Sequence, residues 1–360
     1  MATAGGVNED GEEECSGLEP FFFDEEAVRA EHAAAQAAKE KLREKEAREK
    51  ERRDLRREAH RAVMNQIRDY DEKQGGEYYN RFCFEDFSKF DINKESRIGP
   101  MRYTNRVCKP GESPYELCEG INIFTVEIVS SDVGFPINVY GTVIARDSID
   151  LKCVYLFRRN RDDSELINCK EEPLTLTGPK RGLALIDDAY VEFDLKIKGD
   201  GEQNDKELSK GFVTIDGIAR RWLRSCVAES RFLSTRLSTV KVFYGVVKDA
   251  VEATIAIEVV HGDFYGEIIA CTTSISDYLT LHDGVVDGTR IGEGAVQLLR
   301  SVVAVCLKES LFVTIVAHTG CGETDKEIEF TPKVNGGDAE EITVCGTTML
   351  VKVVWSIIDL

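Results

Sequence analysis

The pattern of apolar and polar residues changes along the chain, from a helix-forming segment near the N-terminus to alternation with a period of two after Gly120. Residues 25–73 contain neither Gly nor Pro and consist largely of Ala, Glu, Lys and Arg, which favour helix. Asp24 precedes them as an N-cap candidate, and acids follow in the first turn, where the helix dipole favours negative charge. After Gly120, apolar and polar residues alternate in short segments bounded by Gly, Asp and Asn. The pattern predicts one long N-terminal helix followed by an all-β body.

The predicted helix, residues 24–74, is charged along most of its length. Its middle part has Ala47 as the only apolar residue between Arg43 and Asp54, so it lacks the heptad repeat of a sustained coiled coil. Acids placed four residues before bases stabilise such a helix in solvent. We therefore expect the middle of the helix to be solvated.

The C-terminal part of the predicted helix carries an apolar stripe. The stripe consists of Leu55, Ala59, Val63, Ile67 and Tyr70. Because an apolar helix face is normally buried, we expect these side chains to pack on the body or to bind a partner helix. A second copy of the chain is one such partner, which would make the protein a homo-oligomer through its N-terminal helix.

Two further segments flank the helix. Residues 1–23 hold six acids and no base, a composition that predicts a disordered acidic tail. Gly75 and Gly76 are expected to end the helix, and residues 75–120 form a connector that is rich in Phe and Tyr. Aromatic residues at this density normally cover hydrophobic surface.

Residues 121–360 are predicted to form a duplicated β domain. The segment Tyr140–Ala145 recurs in similar form as Tyr265–Ala270, and each is followed by a second alternating segment, Tyr190–Ile197 or Leu311–Val316. The predicted strands include Leu174–Thr177, Glu327–Phe330 and Glu341–Val344. Short strands with Gly and Asp turns are typical of an antiparallel sandwich or barrel. The βαβ alternation of a parallel nucleotide-binding sheet is missing. The sequence leaves open whether the two repeats form one domain or two.

Composition narrows the class of partner. The 360 residues carry a formal net charge of -19, and an acidic domain repels the phosphates of nucleic acids and anionic membranes. The N-terminus lacks the features of a secretory signal, and no segment has the roughly 18 apolar residues of a membrane span. We therefore expect a soluble protein of the cytoplasm or nucleus whose partners are proteins of unknown identity.

The spacing of the cysteines and histidines shows no metal-binding or catalytic motif. The eleven cysteines include no C-x-x-C pair, and several, such as Cys153 and Cys306, lie among apolar strand residues as small hydrophobes. The five histidines show neither H-x-H nor H-E-x-x-H spacing, and no G-x-S-x-G motif occurs. The sequence therefore predicts no metal, no cofactor and no catalytic residue.

Basic islands in the first repeat are the candidate anion-binding site. Lys180 and Arg181 lie between glycines in the turn 177–182, where exposed backbone amides could join them around an anion. Arg158 and Arg159 form a second island. The alternative is that these cations neutralise neighbouring carboxylates in an acidic domain.

Loop aspartates of the first repeat suggest calcium, because loops of some β-sandwiches ligate this ion through carboxylates. The aspartates are Asp147, Asp150, Asp162, Asp163, Asp187 and Asp188. The alternative is that they cap turns.

Three segments, Ile137–Ser148, Leu174–Gly182 and Tyr190–Lys198, resemble an uncharacterised plant domain family that is abundant in cereal grasses. The resemblance extends over about residues 80–360. A similar module is linked to the ribosome-inactivating domain of jasmonate-induced plant proteins, which implies a stress or defence setting. The E-x-x-R pattern of such rRNA N-glycosylases is not met, because Glu229-Ser230-Arg231 is one residue too short.

The sequence as a whole predicts a non-enzymatic protein-interaction module, all-β and duplicated, that is carried on a long N-terminal helix. Two alternatives stay open at this point. One is a protein related to rRNA N-glycosylases, and the other is a β-sandwich that responds to calcium or lipid through its loops.

Overall fold

The computed structural model describes residues 24–106, 115–221, 224–319 and 322–358. The chain divides into two compact units, of which one ends at Ala59 and the other begins at His60. The acidic tail expected for residues 1–23 lies outside the described ranges.

Helix α1 spans Glu25–Ile67. The Asp24 carboxylate caps its first turn, as the sequence predicts, by accepting hydrogen bonds from the backbone N–H groups of Glu26 and Ala27 at 3.0 and 3.1 Å. Most of the helix is exposed, which agrees with its charged composition. None of the helices in the described ranges combines the length and the apolar character that a membrane crossing requires.

The helix ends at Ile67, earlier than the sequence predicts. The next residues form a hairpin of strands β1 (Arg68–Asp71) and β2 (Gly76–Tyr79). Arg236 holds this hairpin, because its backbone N–H donates to the Asp71 carboxylate at 2.6 Å. Contacts with a residue far along the chain therefore outweigh the local preference for helix, and a pattern of neighbouring residues cannot reveal them.

Two further groups of strands build the body. Those of the first half are, in chain order, β3 (Glu119–Ser131), β4 (Ile137–Arg146), β5 (Val154–Arg159), β6 (Glu165–Ile167), β7 (Leu183–Leu185), β8 (Ala189–Ile197), β9 (Lys206–Ile215), β10 (Val227–Thr235) and β11 (Ser238–Val247). Those of the second half are β12 (Ala250–His261), β13 (Gly266–Thr272), β14 (Leu279–Asp283), β15 (Gly294–Ala295), β16 (Val302–Cys306), β17 (Leu311–Thr319), β18 (Gly322–Phe330), β19 (Asn335–Val344) and β20 (Thr347–Ile357). A short helix, α2 (Gly284–Asp287), follows β14.

The two halves share one strand order. The strand order of the first sheet is β10-β11-β3-β7 in the first half and β19-β20-β12-β16 in the second. The short strand β15 also pairs with β12. The second sheet runs β5-β4-β8-β9 or β14-β13-β17-β18, and β6 also pairs with β4. The strands of these sheets pair antiparallel. The body is therefore all-β and sandwich-like, as the sequence predicts.

Each half has its own hydrophobic core. Inward-facing residues of the first half, including Phe193 and Tyr244, form one buried cluster, and those of the second half, including Ile315 and Trp355, form another. Phe124 of the first half packs in the second cluster, so the two cores meet. Alternation of buried and exposed side chains along each strand explains the period of two in the sequence.

Strand boundaries differ from expectation chiefly at sheet edges. Strands β18 and β19 begin well before the predicted starts at Glu327 and Glu341. Their first residues are mostly exposed and show no apolar alternation, so the sequence pattern does not reveal them. The strand predicted over Leu174–Thr177 is instead irregular. Leu174 and Thr177 donate single backbone hydrogen bonds to β3 and β5, without a continuous ladder.

Candidate functional site

Residues 80–98 of the connector, which we call the strap, cross the outer face of the sheet β5-β4-β8-β9. The ring of Phe82 lies 4.8 Å from that of Tyr190 on β8 and is almost fully buried. Near the other end of the strap, Ser96 donates its backbone N–H to the carbonyl of Cys153 at 2.9 Å. The strap thereby covers part of one face of the first half.

The carboxylate of Glu192, on β8, fastens the strap to the sheet. Its Oε1 accepts hydrogen bonds from Nε of Arg146 at 2.7 Å and from the backbone N–H of Phe82 at 2.9 Å. Its Oε2 accepts one from Nε of Arg81 at 2.9 Å. The guanidinium of Arg146 also donates to the carbonyl of Ile92 at 2.6 Å. Sheet and strap therefore share one buried charge cluster, in which the Arg146 side chain is 0% and the Glu192 side chain 4% exposed.

Burial alone would raise the pKa of Glu192, because a desolvated carboxylate is less stable than a solvated one. The hydrogen bonds and charge of Arg146, together with the charge of Arg81, outweigh this effect and lower the pKa from its ordinary value of 4.5. Glu192 is therefore ionised in the folded protein near neutral pH and pairs with both arginines.

A polar cleft of about 200 Å³ lies beside the strap. Arg81 and Lys210 contribute positive charge to its lining, and Glu192 and Asp194 contribute negative charge. The Cys153 thiol also faces the cleft, and burial raises its pKa, so it is a neutral thiol and not a nucleophilic thiolate. The cleft offers hydrogen-bonding groups of both charges, and its described lining residues include no histidine.

The four cations of the predicted anion site all contact carboxylates. Arg181 is almost fully buried, and its two terminal nitrogens donate to Asp147 at 2.6 and 2.9 Å. The backbone N–H of Ala184 donates to the same carboxylate at 2.9 Å. Arg181 also contacts Asp150 at 3.4 Å. Two aspartates of the predicted calcium set are therefore partners of one buried arginine.

The other three cations lie closer to the surface. Lys180 Nζ is 3.0 Å from one oxygen of Glu95, and Arg158 Nη1 is 3.8 Å from the other. Arg159 pairs with Asp163 and Glu165, each at 3.1 Å. This geometry is that of cations neutralising neighbouring carboxylates. Binding of an external anion at these residues stays a prediction.

The predicted apolar stripe of the helix divides into two sets. Ile67 is buried and Val63 half-buried, and both pack in a small cluster with Phe87. Leu55 and Tyr70 are each 60% exposed, and Tyr70 lies on β1 instead of the helix. Partner binding through the stripe stays a prediction, for which Leu55 and Tyr70 are the accessible residues.

Glu229, the residue compared with an N-glycosylase glutamate, lies on strand β10. Its carboxylate accepts hydrogen bonds from the Tyr244 hydroxyl at 2.9 Å and from Arg220. Burial raises its pKa, but these two hydrogen bonds outweigh burial and lower it. The carboxylate is thus engaged with residues of its own half, and Arg231 shares its side of the strand because side chains alternate.

The outer face of the sheet β14-β13-β17-β18 is the counterpart of the face under the strap, and we call it the open face. Cross-strand pairing arranges its central side chains in three rows. The rows are Cys271–Phe312–Glu329, Ile269–Thr314–Glu327 and Glu267–Val316–Asp325. The corresponding rows under and beside the strap are Arg146–Tyr190–Thr214, Ile144–Glu192–Phe212 and Thr142–Asp194–Lys210. All nine side chains of the open face are half-exposed or exposed.

The charged side chains of the open face are mostly acidic. Strands β13 and β17 contain no Lys or Arg, and the side of β18 that belongs to the open face carries Glu323, Asp325, Glu327 and Glu329. His318 lies 3.4 Å from Glu323. Burial and the charge of Glu327 raise the pKa of Cys271, which keeps this thiol neutral. The face thus combines an apolar centre with an acidic edge strand.

Local sequence patterns revealed neither the Glu192 cluster nor the open face. The partners of Glu192 come from separate parts of the chain, and no spacing rule connects them. The open face does leave a signal in the sequence. Acids recur at every second position in β18, as expected for a strand with one acidic face, at Glu323, Asp325, Glu327 and Glu329. It is missed because apolar periodicity, not acidic periodicity, is the usual sign of a strand.

A family model described as a domain of unknown function, DUF6598, matches residues 120–353. The matched range runs from β3 to β20 and includes both halves of the body. No curated protein and no solved structure matches the chain. Because the family model covers well over half of the 360 residues, the chain belongs to the DUF6598 family.

Proposed function

We propose that this protein is a non-enzymatic interaction module that binds an extended segment of a partner protein on its open face. One observation carries the proposal. In the first half, where the strap crosses the sheet, four of the nine equivalent side chains are buried, whereas all nine side chains of the open face are half-exposed or exposed. The four buried side chains are those of Ile144, Arg146, Tyr190 and Glu192. The apolar side chains at the centre of the open face stabilise a complex when a partner removes them from water.

The strap indicates the chemistry of the expected partner. Phe82 buries its ring against the sheet, and Arg81 pairs with Glu192. On the open face, Phe312 and Val316 provide apolar surface, and the carboxylates of β18 supply negative charge beside it. A segment with alternating aromatic and basic side chains matches both features, because opposite charges steer association and apolar contact stabilises the complex.

The proposal includes an internal duplication in which the strap covers part of the first copy. The shared strand order of the two halves supports it. The resemblance to a plant module linked to ribosome-inactivating domains supports a stress or defence setting for the interaction.

Binding of short labelled peptides to the full chain, followed by fluorescence anisotropy, tests the proposal. The probes are a peptide of alternating Arg and Phe, an Arg-Ser peptide and a Glu-Phe peptide. We expect the Arg-Phe peptide to bind most tightly and the Glu-Phe peptide least. In the variant D325K/E327K, the affinity for the Arg-Phe peptide should fall by about tenfold or more, because attraction becomes repulsion.

The matched control is E340K/E341K, which changes the same charge on the exposed residues of β19, in the other sheet of the second half. It should leave the affinity unchanged. Equal losses in the two variants, or equal binding of the Arg-Ser and Arg-Phe peptides, would reduce the interaction to general electrostatics and contradict the proposal. Depurination of ribosomes by the unmodified chain that is lost in E229A would show that the protein is an enzyme, and would contradict the proposal.

A further inference from the structure

Two cysteines from different halves of the body meet at one glutamate. Cys226 precedes β10, Cys306 ends β16, and Glu309 lies in the turn that follows β16. One ligand atom from each, the two Sγ atoms and a carboxylate oxygen, all lie within 4.8 Å of one another. Both cysteines are buried, and Glu309 is half-buried.

The geometry of this cluster is close to that of a metal site. In a tetrahedral zinc site with Zn–S bonds of about 2.3 Å, two sulfur ligands are separated by about 3.8 Å. The separation of at most 4.8 Å can reach this value through small side-chain rotations. Cys226 Sγ is already 3.3 Å from Glu309 Oε1. The three ligand atoms thus already lie close together.

Backbone N–H groups contact two of the three residues of this cluster. The N–H of Lys248 donates to Cys226 Sγ at 3.4 Å, and the N–H of Ser274 donates to Glu309 Oε2 at 3.2 Å. Such contacts orient metal ligands. Burial raises the pKa of the Cys226 thiol to about 12, so a bound metal ion must displace its proton. The turn itself is closed by a hydrogen bond from the Glu309 N–H to the Cys306 carbonyl at 3.0 Å.

We propose that Cys226, Cys306 and Glu309 bind one Zn²⁺ ion. Two thiolates and one carboxylate provide three ligands, and this set suits zinc better than magnesium or calcium, which prefer oxygen. A tetrahedral ion would take its fourth ligand from water or from another molecule. The ion would join the first half to the second, because Cys226 belongs to one and the other two ligands to the other. This proposal does not depend on the open face.

Cobalt substitution tests the site directly. The full chain is treated with a chelator under reducing conditions and titrated with Co²⁺ while the thiolate-to-cobalt charge-transfer absorption is recorded. We expect saturation at one ion per chain and displacement of the absorption by one equivalent of Zn²⁺. The absorption per bound ion should fall by about half in C226S or C306S, because each variant loses one of two thiolates.

Three variants separate the site from other thiols and from misfolding. C169S/C345S removes two exposed cysteines and should bind the metal as the unmodified chain does. E309Q keeps both thiols and should lower the Zn²⁺ affinity by about tenfold to 100-fold. Zn²⁺ should also raise the melting temperature of the unmodified chain and not that of C226S/C306S. Absorption that survives in C226S/C306S, or a chain that binds no Co²⁺ or Zn²⁺ while its thiols are reduced, would overturn the proposal.

Discussion

Gly141 and Gly266 occupy the same position in the two halves. Each follows a tyrosine, on β4 or β13, and their φ angles are +122° and +156°. A Cβ at Gly141 would lie 2.0 Å from the carbonyl oxygen of Asp194, and a Cβ at Gly266 would lie 1.9 Å from that of Val316. The partner strand approaches so closely that only glycine fits. One packing requirement therefore explains the recurring Tyr-Gly pair of the sequence.

Alanine at either glycine should destabilise the body. We expect G141A and G266A each to lower the free energy of unfolding by about 3 kcal/mol, through backbone strain and a clash with the neighbouring carbonyl. Urea unfolding followed by circular dichroism measures the effect. G99A is the control, since no atom lies within 4 Å of its added Cβ. Stabilities of G141A and G266A equal to that of G99A would contradict the close approach.

Removing the negative charge of Glu192 should loosen the strap. E192Q leaves Arg146 buried without its carboxylate, which should cost about 3–5 kcal/mol in the free energy of unfolding. Residues 80–98 should also exchange their amide hydrogens faster. E258Q removes a carboxylate from an exposed pair with Lys352 and should change stability by less than about 1 kcal/mol. Unchanged exchange of the strap in E192Q would show that Glu192 does not hold it.

The stabilisation by Glu192 should vanish in acid. Its folded-state pKa is lower than the ordinary 4.5, so the unfolded chain takes up the proton first as the pH falls. The contribution is fully present above about pH 4.5 and is lost as the pH falls through the lower folded-state value. The difference in unfolding free energy between the unmodified chain and E192Q should therefore shrink from pH 7 towards pH 3. A difference that is constant with pH would assign the effect to packing.

Arg300 should stabilise the contact between the two halves. It donates to the carbonyls of Ile123 and Phe124 on β3 at 2.6 and 3.0 Å, and to that of Thr280 on β14 at 3.0 Å. Burial lowers its pKa to about 10, at which the guanidinium is still charged near neutral pH.

The variant R300M leaves these three carbonyls without that donor, and we expect a loss of about 3 kcal/mol in urea unfolding. R290M, at an exposed position, is the control and should have little effect. Equal stability of R300M and R290M would show that water replaces the lost donor.

Much of the fold follows from local sequence. The absence of Gly and Pro and the cap at Asp24 define the start of α1, and alternating apolar residues mark most of the central strands. These features depend on neighbouring residues, whose period of 3.6 or 2 decides which side chains share a face. The similar segments at Tyr140 and Tyr265 likewise lie on strands of equivalent order, β4 and β13.

Tertiary structure alone decided which distant residues meet. Glu192 meets Arg81 because the strap folds back over β8, and Cys226 meets Cys306 because the two halves pack together. The acidic start of β18 becomes a strand because β17 pairs with it, although its own residues show no apolar alternation. The physical reason is that periodicity records which face of an element is buried, whereas the identity of the partner across that face depends on the path of the whole chain.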